Sequence, residues 1–260
     1  MVRHITTTLP NAFPNFHQSI TFVQPVTAAP APVASKPFKA KKAGTNGFHY
    51  FLLLDESGSM SDLTKDTIGG VNTLIKSQAK DNDGTKITVI KFEGGNILTP
   101  IDGVQATSLG EFRDYSPRGG TNLLDAVGYT IEKANALLAT KSRKRDRPSI
   151  FIQIITDGQE NQSRKFNRER IKEMLQSCEK ADWIVSYVGA NVDSFSEAHS
   201  IGINTAAVSN YSTSKTASTY QSMSSSLSRM KSLRSSGITG QAIYESNAVY
   251  TDAEKTEMGE

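Results

Sequence analysis

Residues 48–60 read FHYFLLLDESGSM, a largely apolar run that stops abruptly on Asp55 and a short polar turn. Seven such residues without alternation describe a strand buried on both faces of a parallel sheet. Strand and helix patterns alternate onward from it. Ile68, Val71, Leu74 and Ile75 share a helical face over 62–80, KITVIKF (86–92) reads as a strand, and NILTPI follows a Gly94-Gly95 turn with Pro100 confining it to a sheet edge. Leu123, Leu124, Val127, Ile131, Ala134 and Leu138 make a helix, SIFIQII (149–155) a strand, and Ile171, Met174 and Leu175 another helix. Then come WIVSYVGA (183–190), a short helix near 193–200, a weak strand TAAV (205–208) and a serine-rich helix over 214–233. The alternation predicts an α/β fold: a doubly wound, mostly parallel central sheet with one short antiparallel edge strand and helices on both faces.

In such a sheet, ligands sit beyond the carboxyl ends of the strands. Asp55-Glu56-Ser57-Gly58-Ser59 leaves the first strand, Thr156-Asp157-Gly158 leaves the strand at 149–155, and Ser116-Pro117-Arg118-Gly119-Gly120-Thr121-Asn122 precedes the central helix. Together these loops offer two carboxylates, Asp55 and Asp157, and three hydroxyls, Ser57, Ser59 and Thr121. An all-oxygen set suits a hard divalent cation such as Mg2+. Alternate spacing on a tight turn lets short side chains converge, and Gly119-Gly120 lets the second loop approach closely. Singly, each piece has an ordinary reading: Asp55 and Ser59 as helix caps, Asp157-Gly158 as a strand-ending turn. DNDG (81–84) starts like a calcium loop, but Lys86 and Phe92 occupy the positions that would need Gly and Glu, so it is a turn.

DESGSM, RGGTN and IITDG, in this order at the ends of these elements, resemble the metal-ion-dependent adhesion site of von Willebrand factor type A domains. The Asp-x-Ser-x-Ser, Thr, Asp pattern is matched at every position, and the resemblance spans residues 47–210, with 214–233 as the last helix. It implies that Ser57, Ser59 and Thr121 coordinate a metal, Mg2+ with Mn2+ or another divalent cation as alternatives, and that Asp55 and Asp157 bind it directly or through water. It further implies a non-catalytic protein-binding module whose partner presents Asp or Glu to the metal, with Arg118 and Glu160 nearby to add specificity. A stand-alone domain of this kind resembles bacterial or phage versions.

The remaining sequence sets limits. The net charge of +3 divides into +5 over residues 1–46, +2 in the middle and −4 over 235–260. This divides the chain into a flexible Ala/Pro/Lys-rich arm (1–46), the domain (47–234) and an acidic tail (235–260) without sustained periodicity. A near-neutral domain argues against a dedicated nucleic-acid binder. KSRKRDRPS (141–149) reads as a solvated basic loop, because it lacks interleaved aromatics. One cysteine, Cys178, excludes a disulfide framework, and His4, His17, His49 and His199 are scattered. No run is long and apolar enough for a membrane helix, and the start lacks a secretory signal, so a cytoplasmic location is the expectation. Phosphoryl transfer on the same framework is the enzymatic alternative. Ser57 stands where a second aspartate would serve such an enzyme, and neither a phosphate-binding glycine loop nor a nucleophile elbow occurs, so no catalytic residue is expected. A structural role in which the charged tails grip another copy is the other alternative; the oligomeric state is left open.

Overall fold

The computed structural model describes residues 36–190 and 194–259, with one compact unit from Phe38 onward. Its six-stranded sheet has the order β3-β2-β1-β4-β5-β6, where β1 is Phe48–Asp55, β2 Lys86–Glu93, β3 Asn96–Gln105, β4 Ser149–Thr156, β5 Ile184–Gly189 and β6 Val208–Asn210. All pairings are parallel except β2 with β3. This is the expected doubly wound, mostly parallel α/β arrangement, with helices around the sheet and one antiparallel edge strand. The edge strand is longer than NILTPI: irregular register and the left-handed Gly103 (φ 65°) let it continue along β2 to Gln105. TAAV is a helical turn whose strand begins only at Val208.

Strand β1 shows why its sequence is continuously apolar. Tyr50, Leu52 and Leu54 enter one core, beneath helices α1 (Thr64–Asp81) and α5 (Thr216–Ser235); Phe51 and Leu53 enter the other, beneath α2 (Leu123–Ala139) and α3 (Arg168–Lys180). Helix α4 (Ser194–Ile201) follows β5. The serine-rich helix contributes Tyr220, Met223, Leu227 and Met230 to the first core. Its small residues matter as well, since Ser222, Ser224 and Ser226 are buried and permit a close approach to neighbouring elements. Gly70 on α1 leaves room for the Tyr220 ring, where a Cβ would stand 2.1 Å from Cδ2.

Residues on both sides of the expected 47–234 boundaries pack on this unit. Phe38 N–H donates to Glu173 Oε1 (2.8 Å), Ala40 N–H to Ser177 Oγ (2.9 Å) and Ala43 N–H to Ala181 O (2.9 Å), while Trp183 Nε1–H donates to Lys41 O (2.8 Å). Beyond α5 the chain forms α6 (Gly240–Glu245) and α7 (Asp252–Met258). Tyr250 O–H donates to buried Gln153 (2.6 Å) and Tyr244 Oη accepts from Val185 N–H (2.7 Å). Arg229 binds both carboxylate oxygens of Glu254 (2.9 and 2.6 Å), so part of the acidic charge is neutralised within the chain. The rest of the expected arm, 1–35, lies outside the described residues. The DNDG turn is also internally balanced: Lys231 Nζ lies 2.5 Å from Asp81 and 2.8 Å from Asp83.

His49 supplies a pH-dependent element. It is 4% exposed, stacks on Phe51 at 4.4 Å, and holds Nε2 2.8 Å from Thr88 Oγ1. Burial, with Lys86 and Lys133 adding positive charge nearby, lowers its pKa from 6.5 to about 4 despite Asp102. The unfolded chain therefore binds an extra proton between pH 6.5 and 4, so stability is lost as the pH is lowered through that window. The shift corresponds to about 3 kcal/mol. In urea unfolding, His49→Gln should lack this loss, so the stability difference between the two proteins should change by that amount between pH 7 and pH 4.

Candidate metal centre

Asp55 ends β1 and is fully buried. Its Oδ1 accepts from Ser57 N–H (2.8 Å), its Oδ2 accepts from the Thr156 hydroxyl, and its carbonyl accepts from Tyr115 O–H (2.5 Å). The chain then enters a helical turn, Gly58–Leu63, whose N-cap Ser57 makes no side-chain capping bond. The N-cap positions are Ser57 for this turn and Leu63 for α1, so neither Asp55 nor Ser59 occupies a helix N-cap. Ser57 Oγ instead meets Ser59 Oγ at 3.1 Å, and Ser59 Oγ donates to Asp157 Oδ1 at 2.7 Å.

Thr121 reaches the same place from the other loop. A Cβ built on Gly158 would stand 2.7 Å from Thr121 Oγ1, 3.6 Å from Asp55 Oδ2 and 3.6 Å from Ser59 Oγ. Three of the sequence-nominated oxygens thus surround one point, and Ser57 and Asp157 are hydrogen-bonded to Ser59 beside it. Only glycine fits at 158 without displacing Thr121. Asp55, Ser57 and Thr121 are buried, whereas Ser59 is exposed and Asp157 half-exposed, so the cluster opens to solvent on one side. Among the described residues no three His, Cys, Asp or Glu side chains form a metal cluster. The donors here are two carboxylates and three hydroxyls, a set that fits a hard divalent cation and not a soft one.

The electrostatics agree with that fit. Burial raises the Asp55 pKa to about 6, against hydrogen bonds from Thr156 and Ser57 that lower it, and the charge of Asp157 raises it further. Burial also raises that of Asp157. Two carboxylates held near each other in a low-dielectric pocket are disfavoured as anions unless a cation joins them.

The glycines of the second loop allow the approach anticipated for them. Gly119 is left-handed (φ 68°) and a Cβ on it would stand 2.8 Å from Glu93 Oε2; one on Gly120 would stand 2.7 Å from Asn161 Oδ1. Backbone bonds clamp the two loops: Gly58 N–H to Gly119 O (3.0 Å), Arg118 N–H to Glu56 O (2.8 Å) and Gly94 N–H to Gly120 O (2.8 Å). Thr121 is pinned through its N–H to Asn161 Oδ1 (2.9 Å) and its carbonyl to the N–H groups of Asn161 and Gln162.

Several supporting residues escaped the sequence reading. Lys91, buried on β2, donates to Glu56 and Asp114 (both 2.9 Å), and Glu56 also accepts from Ser116 N–H (2.5 Å). This buried ion group ties the 114–121 loop to the end of β1. Tyr115 and Thr156 hold Asp55 directly. Thr156 adjoins the Asp157 motif and was within reach of a sequence argument; Lys91, Asp114 and Tyr115 carry no local signal. Of the two proposed specificity residues, Arg118 is largely exposed, 3.2 Å from Glu93. Glu160 is occupied internally: its carboxylate accepts from Leu124 N–H at the start of α2 (2.9 Å) and from Ser163 (2.7 Å).

Gly158→Ala should displace Thr121 Oγ1 without touching either core. The expected result is a folded protein with a melting temperature within a few degrees of wild type and a markedly weakened response to divalent cations in a thermal-shift titration. An unchanged response would show that the 2.7 Å approach has no bearing on the site.

No family model matches the sequence, and no curated protein matches it. Among solved structures, the pilus adhesin SpaC from Lactobacillus rhamnosus GG aligns with a TM-score of 0.56 at 10% identity, over 74% of this chain and 31% of that one. Proximal thread matrix protein 1 from the mussel byssus, with a zinc-occupied MIDAS motif, aligns at 0.47 and 14% identity, over 70% and 48%. Manganese-loaded TRAP protein from Plasmodium vivax aligns at 0.45 and 15%, over 68% and 73%. The chain thus spans less than half the length of the first two, and the likeness to SpaC shows the fold alone.

Proposed function

We propose that this chain is a divalent-metal-dependent protein-binding module in which Asp55, Ser57, Ser59, Thr121 and Asp157 hold Mg2+, or Mn2+ in its place, and an Asp or Glu of a partner protein completes the coordination. The observation that carries the reading is the convergence of Asp55, Ser59 and Thr121 oxygens around Gly158, with Ser57 and Asp157 joined to Ser59. When bound, the cation supplies a Lewis-acidic position for a carboxylate oxygen. The protein's own part is orientation. Thr156 and Tyr115 fix Asp55, the Lys91–Glu56–Asp114 group fixes the loop leading to Thr121, and exposed Ser59 leaves the approach open. Without a cation the ionised site carries −2 and repels an acidic partner; a divalent charge cancels this, so occupancy switches the sign of the interaction. Arg118, on the rim, would meet the partner's acidic side chain, and no group is assigned a role in catalysis.

Retention of partner proteins from native lysate in Mg2+ against EDTA tests this reading. A partner retained only with metal is the expected result. Binding that persists in EDTA would refute metal-dependent recognition.

A further inference from the structure

The fold merges two basic segments that lie about a hundred residues apart in sequence. In residues 38–42 the chain alternates, with Phe38 and Ala40 turned toward the second core while Lys39, Lys41 and Lys42 are exposed. The loop at 141–146 presents Lys141, Arg143 and Lys144, likewise exposed. Arg147 joins the two: its guanidinium donates to Lys42 O (3.2 Å) and to Lys141 O (3.3 Å). Backbone bonds from Gly44 to Pro148 and from Asn46 to Arg147 complete the seam. A Cβ on Gly44 would stand 2.2 Å from Arg147 O and 2.3 Å from Lys144 O, so contact between the segments is tight.

Six cations therefore share one surface, and none of the ion pairs among the described residues involves them. Of the nearby acids, Asp146 faces Arg145 at 3.9 Å and Glu173, bonded to Phe38 N–H, pairs with Arg170 at 2.6 Å. Unpaired like charges repel one another, and such a stripe is an electrostatic footprint for an anion with many charges. Among the described residues the patch has no apolar anchor: the exposed large hydrophobic ones are Leu98 on β3 and Ile238 after α5, not this loop pair. Protein interfaces centre on buried aromatic or aliphatic anchors, whereas phosphate contacts need none.

We infer that this surface, built by Lys39, Lys41, Lys42, Lys141, Arg143 and Lys144 and fastened by Arg147, binds the phosphate backbone of nucleic acid without reading its sequence. Along the sequence, 141–149 reads as a solvated loop; in the fold, Lys39, Lys41 and Lys42 add three further charges beside it. The loop follows α2 and precedes β4, at the end of the sheet away from Asp55 and Asp157, so the inference does not depend on metal.

The test is fluorescence anisotropy of the full chain with a duplex DNA probe in EDTA across a salt series. Six phosphate contacts predict a slope of log K against log salt of about −5, a loss of about a thousandfold between 50 and 200 mM salt. The variant Lys41→Ala/Lys42→Ala/Arg143→Ala/Lys144→Ala, which spares Arg147 and the packed backbone, should retain the wild-type melting temperature while its slope shrinks to about −2. Absence of binding at low salt, or a slope unchanged in the folded variant, would overturn the inference. A poly-glutamate peptide of equal charge that binds as tightly as the duplex would assign the patch to an acidic protein and overturn it equally.

Discussion

Asp157→Ala is expected to abolish stabilisation by divalent cations while leaving the metal-free protein as stable as wild type or slightly more so. The two effects have opposite signs for one reason. Without metal, burial disfavours the Asp157 anion, so removing it relieves an electrostatic cost, and exposed Ser59 can exchange its 2.7 Å bond for water. With metal, the same carboxylate is half of the negative charge available to hold the cation. At a metal concentration about 100-fold above its Kd, linkage stabilises the wild type by about 2.7 kcal/mol. In a domain of this size that raises Tm by about 5–10 °C. Thermal unfolding with and without Mg2+ or Mn2+ should therefore show a shift in wild type and none in the variant, and capture of the partner should disappear with it. An equal metal-induced shift in both proteins would remove Asp157 from the site.

Lys91→Met should destabilise the fold by about 3–5 kcal/mol, because it strips a buried carboxylate of its counter-ion. Lys91 and Glu56 side chains are each 3% exposed, whereas Asp114 is 68% exposed and can turn to water. The penalty thus falls on Glu56, which still accepts from Ser116 N–H but faces no cation. Adding Glu56→Gln should recover a substantial part, since an amide oxygen can keep the Ser116 bond without an uncompensated charge. Urea unfolding of both single variants and the double variant closes the cycle. A single-variant cost below about 1 kcal/mol would show that water or rearrangement satisfies Glu56. The same variant should weaken the metal response, because this ion group holds the loop that delivers Thr121.

The candidate site was legible because its donors sit in three short segments, each at the end of a strand or the start of a helix. Chemistry and position can be read together there: Asp55 and Asp157 are where β1 and β4 stop, and Thr121 is two residues before α2 begins. Their supports were not legible. Nothing around Lys91 in KITVIKF distinguishes a lysine at a strand's solvent edge from one buried against Glu56. Tyr115 reads as any loop tyrosine until its hydroxyl is seen on the Asp55 carbonyl. Glu160 failed in the other direction: its proximity to Asp157 suggested a recognition role, while its carboxylate is occupied at the start of α2.

By itself the sequence determined the alternation of strands and helices, the two-faced burial of β1 and which five polar side chains, Asp55, Ser57, Ser59, Thr121 and Asp157, were nominated as one group, because these depend on periodicity and spacing over a few residues. Only the tertiary structure decided the length of the edge strand, the docking of 38–46 and of α6 and α7, and the burial of Lys91 with Glu56. It also decided where charge accumulates. The +5 and −4 ends looked like solvated tails when counted along the chain. In space, Glu254 closes on Arg229, and Lys39, Lys41 and Lys42 lie beside Lys141, Arg143 and Lys144. Electrostatic energy depends on distance through space and not along the chain, so the charges whose sum described the sequence acquire their meaning only once the fold has chosen their neighbours.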